Sequence, residues 1–234
     1  MTNEHPINYD FHRMVVIAIL AGAFISALGI SITFMAKFAQ IGPLVFNQRP
    51  DYLGNYIDSP LAYIFNMGLI VAGLCILLAM YGLQQLRLAE IGKYIAMSGY
   101  LVGMFVILIG IYPINYLFEH RLFSTGFLIA TLLLYVLTLC ARLNHKQLCS
   151  RPLFVVSLLG FLAAASLTAL LDWQTLDFYP CPHQSQRFCL VSFVMWCQTS
   201  LVVIWCITLA IGIKKLARQS YHDAITTKMS ASYQ

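Results

Sequence analysis

The chain has 234 residues, of which 60% are hydrophobic, 13% aromatic and only 10% charged, with a mean hydropathy of +0.77 and a formal net charge of +5. An ordinary soluble domain carries about a quarter charged residues. The composition excludes a cytosolic enzyme, a nucleic-acid-binding module and a secreted disulfide scaffold; it predicts an all-α polytopic membrane protein, a single six-helix transmembrane domain over 1–234.

A bilayer's hydrocarbon core, about 30 Å thick, takes roughly 20 apolar residues per helix. Six runs meet that requirement without a charged side chain: 14–36, 61–83, 94–114, 125–141, 153–171 and 190–213. They are continuous in Leu, Ile, Val, Phe and Ala rather than alternating, so helices and not barrel strands are expected. The first run exceeds a signal-peptide core and reaches Met35-Ala36-Lys37 without a small-x-small cleavage site, which reads as a retained helix. Ala18, Gly22 and Ser26 recur on it every four residues, as a packing face requires.

The second run is entered through Tyr56-Ile57-Asp58-Ser59-Pro60, with Asp58 or Ser59 expected to cap the helix and Pro60 in its first turn. Asn66 follows two turns in. The third run carries a Gly99-x-x-x-Gly103 pair and ends at Gly110-Ile111-Tyr112-Pro113, after which Glu119 and His120 reach the interface. The fourth run is short. The fifth repeats the small-residue spacing at Gly160 and Ala164 and ends at Asp172-Trp173, while the sixth holds Gln198.

Orientation follows from Lys and Arg, which are retained on the cytoplasmic side. Arg13, Arg87, Lys93, Arg142, Lys146, Arg151, Lys214, Lys215, Arg218 and Lys228 fall on the side of the termini, against Lys37, Arg49, Arg121 and Arg187 on the other. Both termini are therefore expected to be cytoplasmic, in a cell inner membrane, and the basic residues need no nucleic-acid partner because they border anionic headgroups. Asp51, Asp58, Glu119, Asp172 and Asp177 lie on the outer side with His120 and His183. Cys181 and Cys189 share the last outer loop, where oxidation is permitted. A disulfide is expected there; the competing reading makes Cys181, His183 and Cys189 metal ligands, but a closed structural zinc site needs four.

The Tyr56-x-Asp58 element, Phe65-Asn66-x-Gly68-Leu69-Ile70 and Gly110-Ile111-Tyr112-Pro113 with a following His120 resemble a six-span prokaryotic membrane family known only as a domain of unknown function. Its layout is similar to that of the eukaryotic damage-regulated autophagy modulator group. The resemblance rests on Asp58, Phe65, Asn66, Gly68, Gly110, Pro113 and His120; it implies the six-span fold and a polar outer-leaflet site but no reaction, and the 172–189 loop lies outside it.

Each polar candidate has two readings. His120 is an interfacial anchor or a base or ligand in an outer pocket, Asp58 a helix cap or a site residue, and Asn66 an interhelical hydrogen-bond partner or a substrate contact. Taken together, Asp58, Asn66, Glu119 and His120 are expected to form a ligand site, because an unpaired polar group in lipid costs several kcal/mol. The favoured function is binding or shielding of a lipid or lipid-like molecule without obvious catalysis or cofactor, membrane lipids being the partner. Two others stand beside it: a metal-assisted intramembrane lipid hydrolase, and an immunity or accessory subunit acting on a membrane-protein partner. No hydrolase, metalloprotease, Walker or dinucleotide fingerprint occurs.

Overall fold

The computed structural model describes residues 9–85, 90–144, 149–179 and 189–232. These form six long helices: α1 (Tyr9–Ile41), α2 (Ala62–Gln85), α3 (Glu90–Ile111), α4 (Leu117–Asn144), α5 (Arg151–Leu170) and α6 (Leu190–Ser232). All six are long and apolar enough to cross a membrane, and the described residues contain no β-strand. Helix is what a continuous apolar run must adopt in lipid, where every backbone N–H and C=O has to be satisfied within the segment.

Two departures from the sequence expectation bear on the site. The short fourth run starts earlier: Tyr116 donates its N–H to the Pro113 carbonyl (2.8 Å) and His120 to the Tyr116 carbonyl (2.9 Å), so α4 begins at Leu117 and takes Glu119, His120 and Arg121 into its first turn. Arg121 is admitted there because it meets the Asp177 carboxylate. At the entry to α2, the Ser59 hydroxyl is buried without a hydrogen-bond partner, and the Asp58 carboxylate accepts from the Asn55 side chain (2.7 Å). Neither caps the helix; the first α2 N–H groups instead reach the Leu61 carbonyl.

Consecutive helices pack against one another, and α1 packs against α6, closing the bundle into a ring. Six crossings leave both ends of the chain at one end of the bundle. The opposite end carries 42–61, 112–116 and the chain after α5. Small residues set the close approaches. A Cβ on Gly22 would stand 2.8 Å from that of Cys75 on α2, and one on Gly103 would meet Leu77 and Ile76 at about 3 Å. Gly160 on α5 faces the ring of Tyr135, which is wholly buried on α4. Nearby, the Trp205 indole of α6 donates to the Ser157 hydroxyl of α5 (3.1 Å), toward the end that holds the termini. Thr33, Thr138 and Ser157 return their hydroxyls to carbonyls four residues earlier, the cheapest way to bury them in a helix.

Replacing Gly160 by Val puts side-chain atoms where the Tyr135 ring lies. The expected loss is about 1–3 kcal/mol, as for other overpacked interiors, read as a lowered unfolding midpoint of the purified protein, with unchanged membrane insertion.

Candidate functional site

At the end away from the termini, three segments meet over the mouth of the ring. The first leaves α1 at Gly42, whose φ of +61° is open to glycine at little cost, and runs through two short 3-10 turns, Gly42–Asn47 and Pro50–Gly54. The Trp196 indole of α6 fixes it by donating to the Gln48 carbonyl (3.0 Å), which presents Arg49 and Asp51 inward. The second is the start of α4. The third is a tight turn after α5, closed by the Asp172 N–H on the Asp177 carbonyl (2.9 Å) and by the Asp172 carboxylate, which accepts from Gln174 N and Thr175 Oγ1 at 3.0 Å each. Within that turn Leu176 has a φ of +51°, uncommon for a branched side chain and tolerated because the turn around it is fixed.

Asp177 joins all three. Its Oδ1 accepts from the Arg49 guanidinium at 2.5 Å and its Oδ2 lies 2.6 Å from that of Arg121. Arg49 also lies 3.4 Å from Asp51 and over the Tyr52 ring, 5.3 Å from its centroid. Asp51 in turn faces His120 Nε2 at 3.6 Å, while His120 Nδ1 is 3.0 Å from the Tyr112 carbonyl. A carbonyl only accepts, so Nδ1 carries the proton in that contact. The side chains are well shielded, with 14% exposure for Arg49 and Asp51 and 5% for His120.

Burial by itself would push the Asp51 carboxyl upward, but Arg49 and then His120 outweigh it, and Asp51 is held below the ordinary carboxylate value. Burial likewise opposes ionisation of Asp177; its hydrogen bond and ion pair with Arg49, the Phe178 N–H and the charge of Arg121 bring it below that value too. For Arg49, desolvation works against the charge and the two aspartates more than restore it. The three shifts are mutual: each ion is kept charged by its neighbours.

Beneath this network lies a cavity of about 160 Å³ inside the ring, with lining residues from all six helices. Its walls are largely apolar, among them Ile30, Leu69, Val106, Phe127, Leu128 and Leu167, and its polar end is made by Arg49, Asp51, His120, Arg121 and Asp177. Several polar atoms of the lining are buried without a hydrogen-bond partner: Arg49 Nε, Asp51 Oδ1, His120 Nε2, Arg121 Nε and, on α6, Gln198 Oε1. Unsatisfied buried polar groups are scarce in folded proteins, so five around one cavity mark a place built for another molecule or for water.

Of the four residues expected from sequence to form the ligand site, only His120 lines this cavity. Asp58 is exposed and bound to Asn55, and its backbone carbonyl accepts from the buried Lys37 ammonium. Asn66 is buried, but its side chain donates to the Gly54 carbonyl (3.0 Å) and so holds the loop before α2 rather than bonding to another helix. A Cβ on Gly54 would overlap the Asn66 amide, which explains the glycine. Glu119 is half-buried and does not line the cavity. The cluster of Asp58, Asn66 and His120 is thus replaced by one of His120 with Arg49, Asp51, Arg121 and Asp177. Sequence reasoning counted the two arginines only as topological charges; the usable signal was that the outer side holds arginines and aspartates in comparable number. Cys189 is buried and accepts the Ser192 N–H at 3.5 Å, whereas Cys181 and His183 lie outside the described residues. Among the described residues no three His, Cys, Asp or Glu side chains are grouped as metal ligands.

Fold and composition define a polytopic α-helical membrane protein. Within that class, the chain belongs to the family described as "Protein of unknown function (DUF998)", whose profile matches residues 51–212. The match takes in Asp51, His120, Arg121 and Asp177 but begins after α1 and Arg49. No curated protein and no solved structure matches the chain.

Asp177→Asn leaves Arg121 without its carboxylate and Arg49 with Asp51 alone. The expected destabilisation is about 2 kcal/mol, between the exposed and fully buried limits for an ion pair. Since Asp51 and Asp177 are both held below the ordinary value, their contribution is complete above about pH 4, where unfolded-state aspartates are ionised. It is lost as pH falls further, through the native values. Thermal unfolding from pH 7 to pH 3 should show a flat midpoint that drops below pH 4, with a shallower drop in Asp177→Asn.

Proposed function

We propose that this protein binds or shelters a lipid or lipid-like molecule in the central cavity, the polar part of the ligand lying against the Arg49, Asp51, His120, Arg121 and Asp177 network. One observation carries the reading: a mostly apolar cavity with unpartnered polar atoms gathered toward one end. Such a distribution matches an amphiphile, whose chain has no use for hydrogen bonds and whose head needs several. An apolar cavity of about 150 Å³ holds a benzene ring. The space here therefore suits a head with the first part of a chain, the remainder passing between helices into the bilayer. The alternative of metal-assisted hydrolysis would need a set of ligands, and the described residues offer none.

In this reading the cavity faces the outer leaflet of a cell inner membrane and the termini are cytoplasmic, as the uneven distribution of Lys and Arg supports. Cys181 and Cys189 form a disulfide on the outer side. The partners are membrane lipids.

Two measurements test this. Leu128→Trp and, independently, Ser124→Phe place bulk in the cavity; lipid co-purifying in stoichiometric amount with the wild type should fall at least tenfold in both. Equal lipid content in a folded variant sinks the cavity assignment. Separately, a membrane-impermeant thiol reagent applied to intact cells should label Cys181 and Cys189 only after reduction, as read by peptide mass spectrometry. Labelling without reduction excludes the bridge, and labelling only after lysis reverses the orientation.

A further inference from the structure

This inference rests on the lipid-binding reading and concerns the apolar part of the occupant rather than its head. Gln198 of α6 lines the cavity with only 3% exposure. Its Nε2 donates to Thr131 Oγ1 of α4 at 3.2 Å. The Thr131 hydroxyl has a single proton, and its oxygen lies 2.9 Å from both the Phe127 and the Leu128 carbonyls. Carbonyls only accept, so that proton is committed to them and Oγ1 accepts from Gln198. The amide therefore stands one way round: its NH2 group faces Thr131, and Oε1 is left buried with no partner.

Depth separates this oxygen from the charged end. Along α4, at 1.5 Å per residue, Leu128 lies about 10 Å and Thr131 about 15 Å from Arg121, and the Gln198 amide meets α4 at that level. Thr199 beside it returns its hydroxyl to the Met195 carbonyl (2.9 Å). Among the described residues, the other unpartnered side-chain atoms of the lining belong to Arg49, Asp51, His120 and Arg121 at the outer end. A plain alkyl chain leaves Gln198 Oε1 unpaired in apolar surroundings, whereas a hydroxyl on the chain donates to it. A ketone sets a second acceptor against it. A secondary amide brings an N–H but also a carbonyl, for which the described residues offer no unpartnered donor at this level. We propose that Gln198 forms a subsite for one hydroxyl part-way along the chain of the bound amphiphile, so that the cavity prefers a hydroxylated acyl chain to a plain one. The preference is set by an atom outside the charged network and is the same whatever the charge of the head.

The test uses the full-length protein in phosphatidylcholine nanodiscs with stearate, 12-hydroxystearate and 12-oxostearate, each also as its 1-acylglycerol, so that every comparison is made at constant head. In an extended chain the hydroxyl at carbon 12 falls at the depth of the amide. Equimolar pairs compete, and the bound ratio is read by native mass spectrometry. In the wild type the hydroxylated chain should be enriched at least fivefold over each of the others, equivalent to about 1 kcal/mol for one hydrogen bond. Gln198→Leu and, independently, Gln198→Met should bind all three without preference, and the ratio of wild type to variant removes differences in partition into the bilayer. Equal occupancy of hydroxylated and plain chains in the wild type shows that water serves Oε1; it overturns the subsite and leaves lipid binding standing. Enrichment of the ketone shows that the amide N–H faces the cavity and also overturns it, as does a hydroxyl preference that survives in both variants. Absence of binding by every probe removes both readings.

Discussion

A carboxylate shared between two guanidinium groups organises the end of this protein that carries the candidate site. Asp177 sits on a turn after α5, Arg49 on the segment after α1, and Arg121 on the first turn of α4, so its two ion pairs join three separate parts of the chain. Isolated, each of these ions would be expelled from an apolar bundle by its loss of hydration. As a balanced set they are tolerated, and the chain segments that bear them are held across the mouth of the ring. The early start of α4 and the inward course of 49–54 both follow from this balance, as does the polar end of the cavity.

The remainder of the bundle obeys a different rule. Water-driven burial does not operate between helices in lipid, so approach depends on shape and on small residues at the contacts. Gly22 against α2, Gly103 against α2 and Gly160 under Tyr135 are places where one added carbon has no room. Motif residues shared with the family resemblance play the same part: Gly68 lies against Gly29, Gly110 against the Asn66 backbone, and Asn66 anchors the loop at Gly54. Much of that short motif is therefore packing, while Phe65, Leu69 and His120 of it reach the cavity.

A tightly packed part and a cavity give the molecule two halves of unlike character. Toward the termini, Tyr135, Ser157 and Trp205 leave little space. Toward the other end the ring opens around a volume lined from all six helices, with ion pairs at its outer end.

Sequence alone determined the class of the protein and its six helices, because a run of uncharged apolar residues about 20 long has one stable conformation in a bilayer, whatever surrounds it. The packing faces were legible for a similar reason: small residues at a spacing of four lie on one side of a helix by geometry. His120 was legible as an uncommon ionisable residue at a helix end. Only the tertiary structure decided its companions. Arg49 and Asp177 are 128 positions apart, and nothing in their local sequence distinguishes a pairing arginine from one that marks topology. Asp58 and Asn66 have the same residue types as a site would, yet their partners are Asn55 and the Gly54 carbonyl within their own loop. Helix formation in a membrane is a local property of composition, while the assignment of a charge to its counter-charge depends on how three separate segments meet in space.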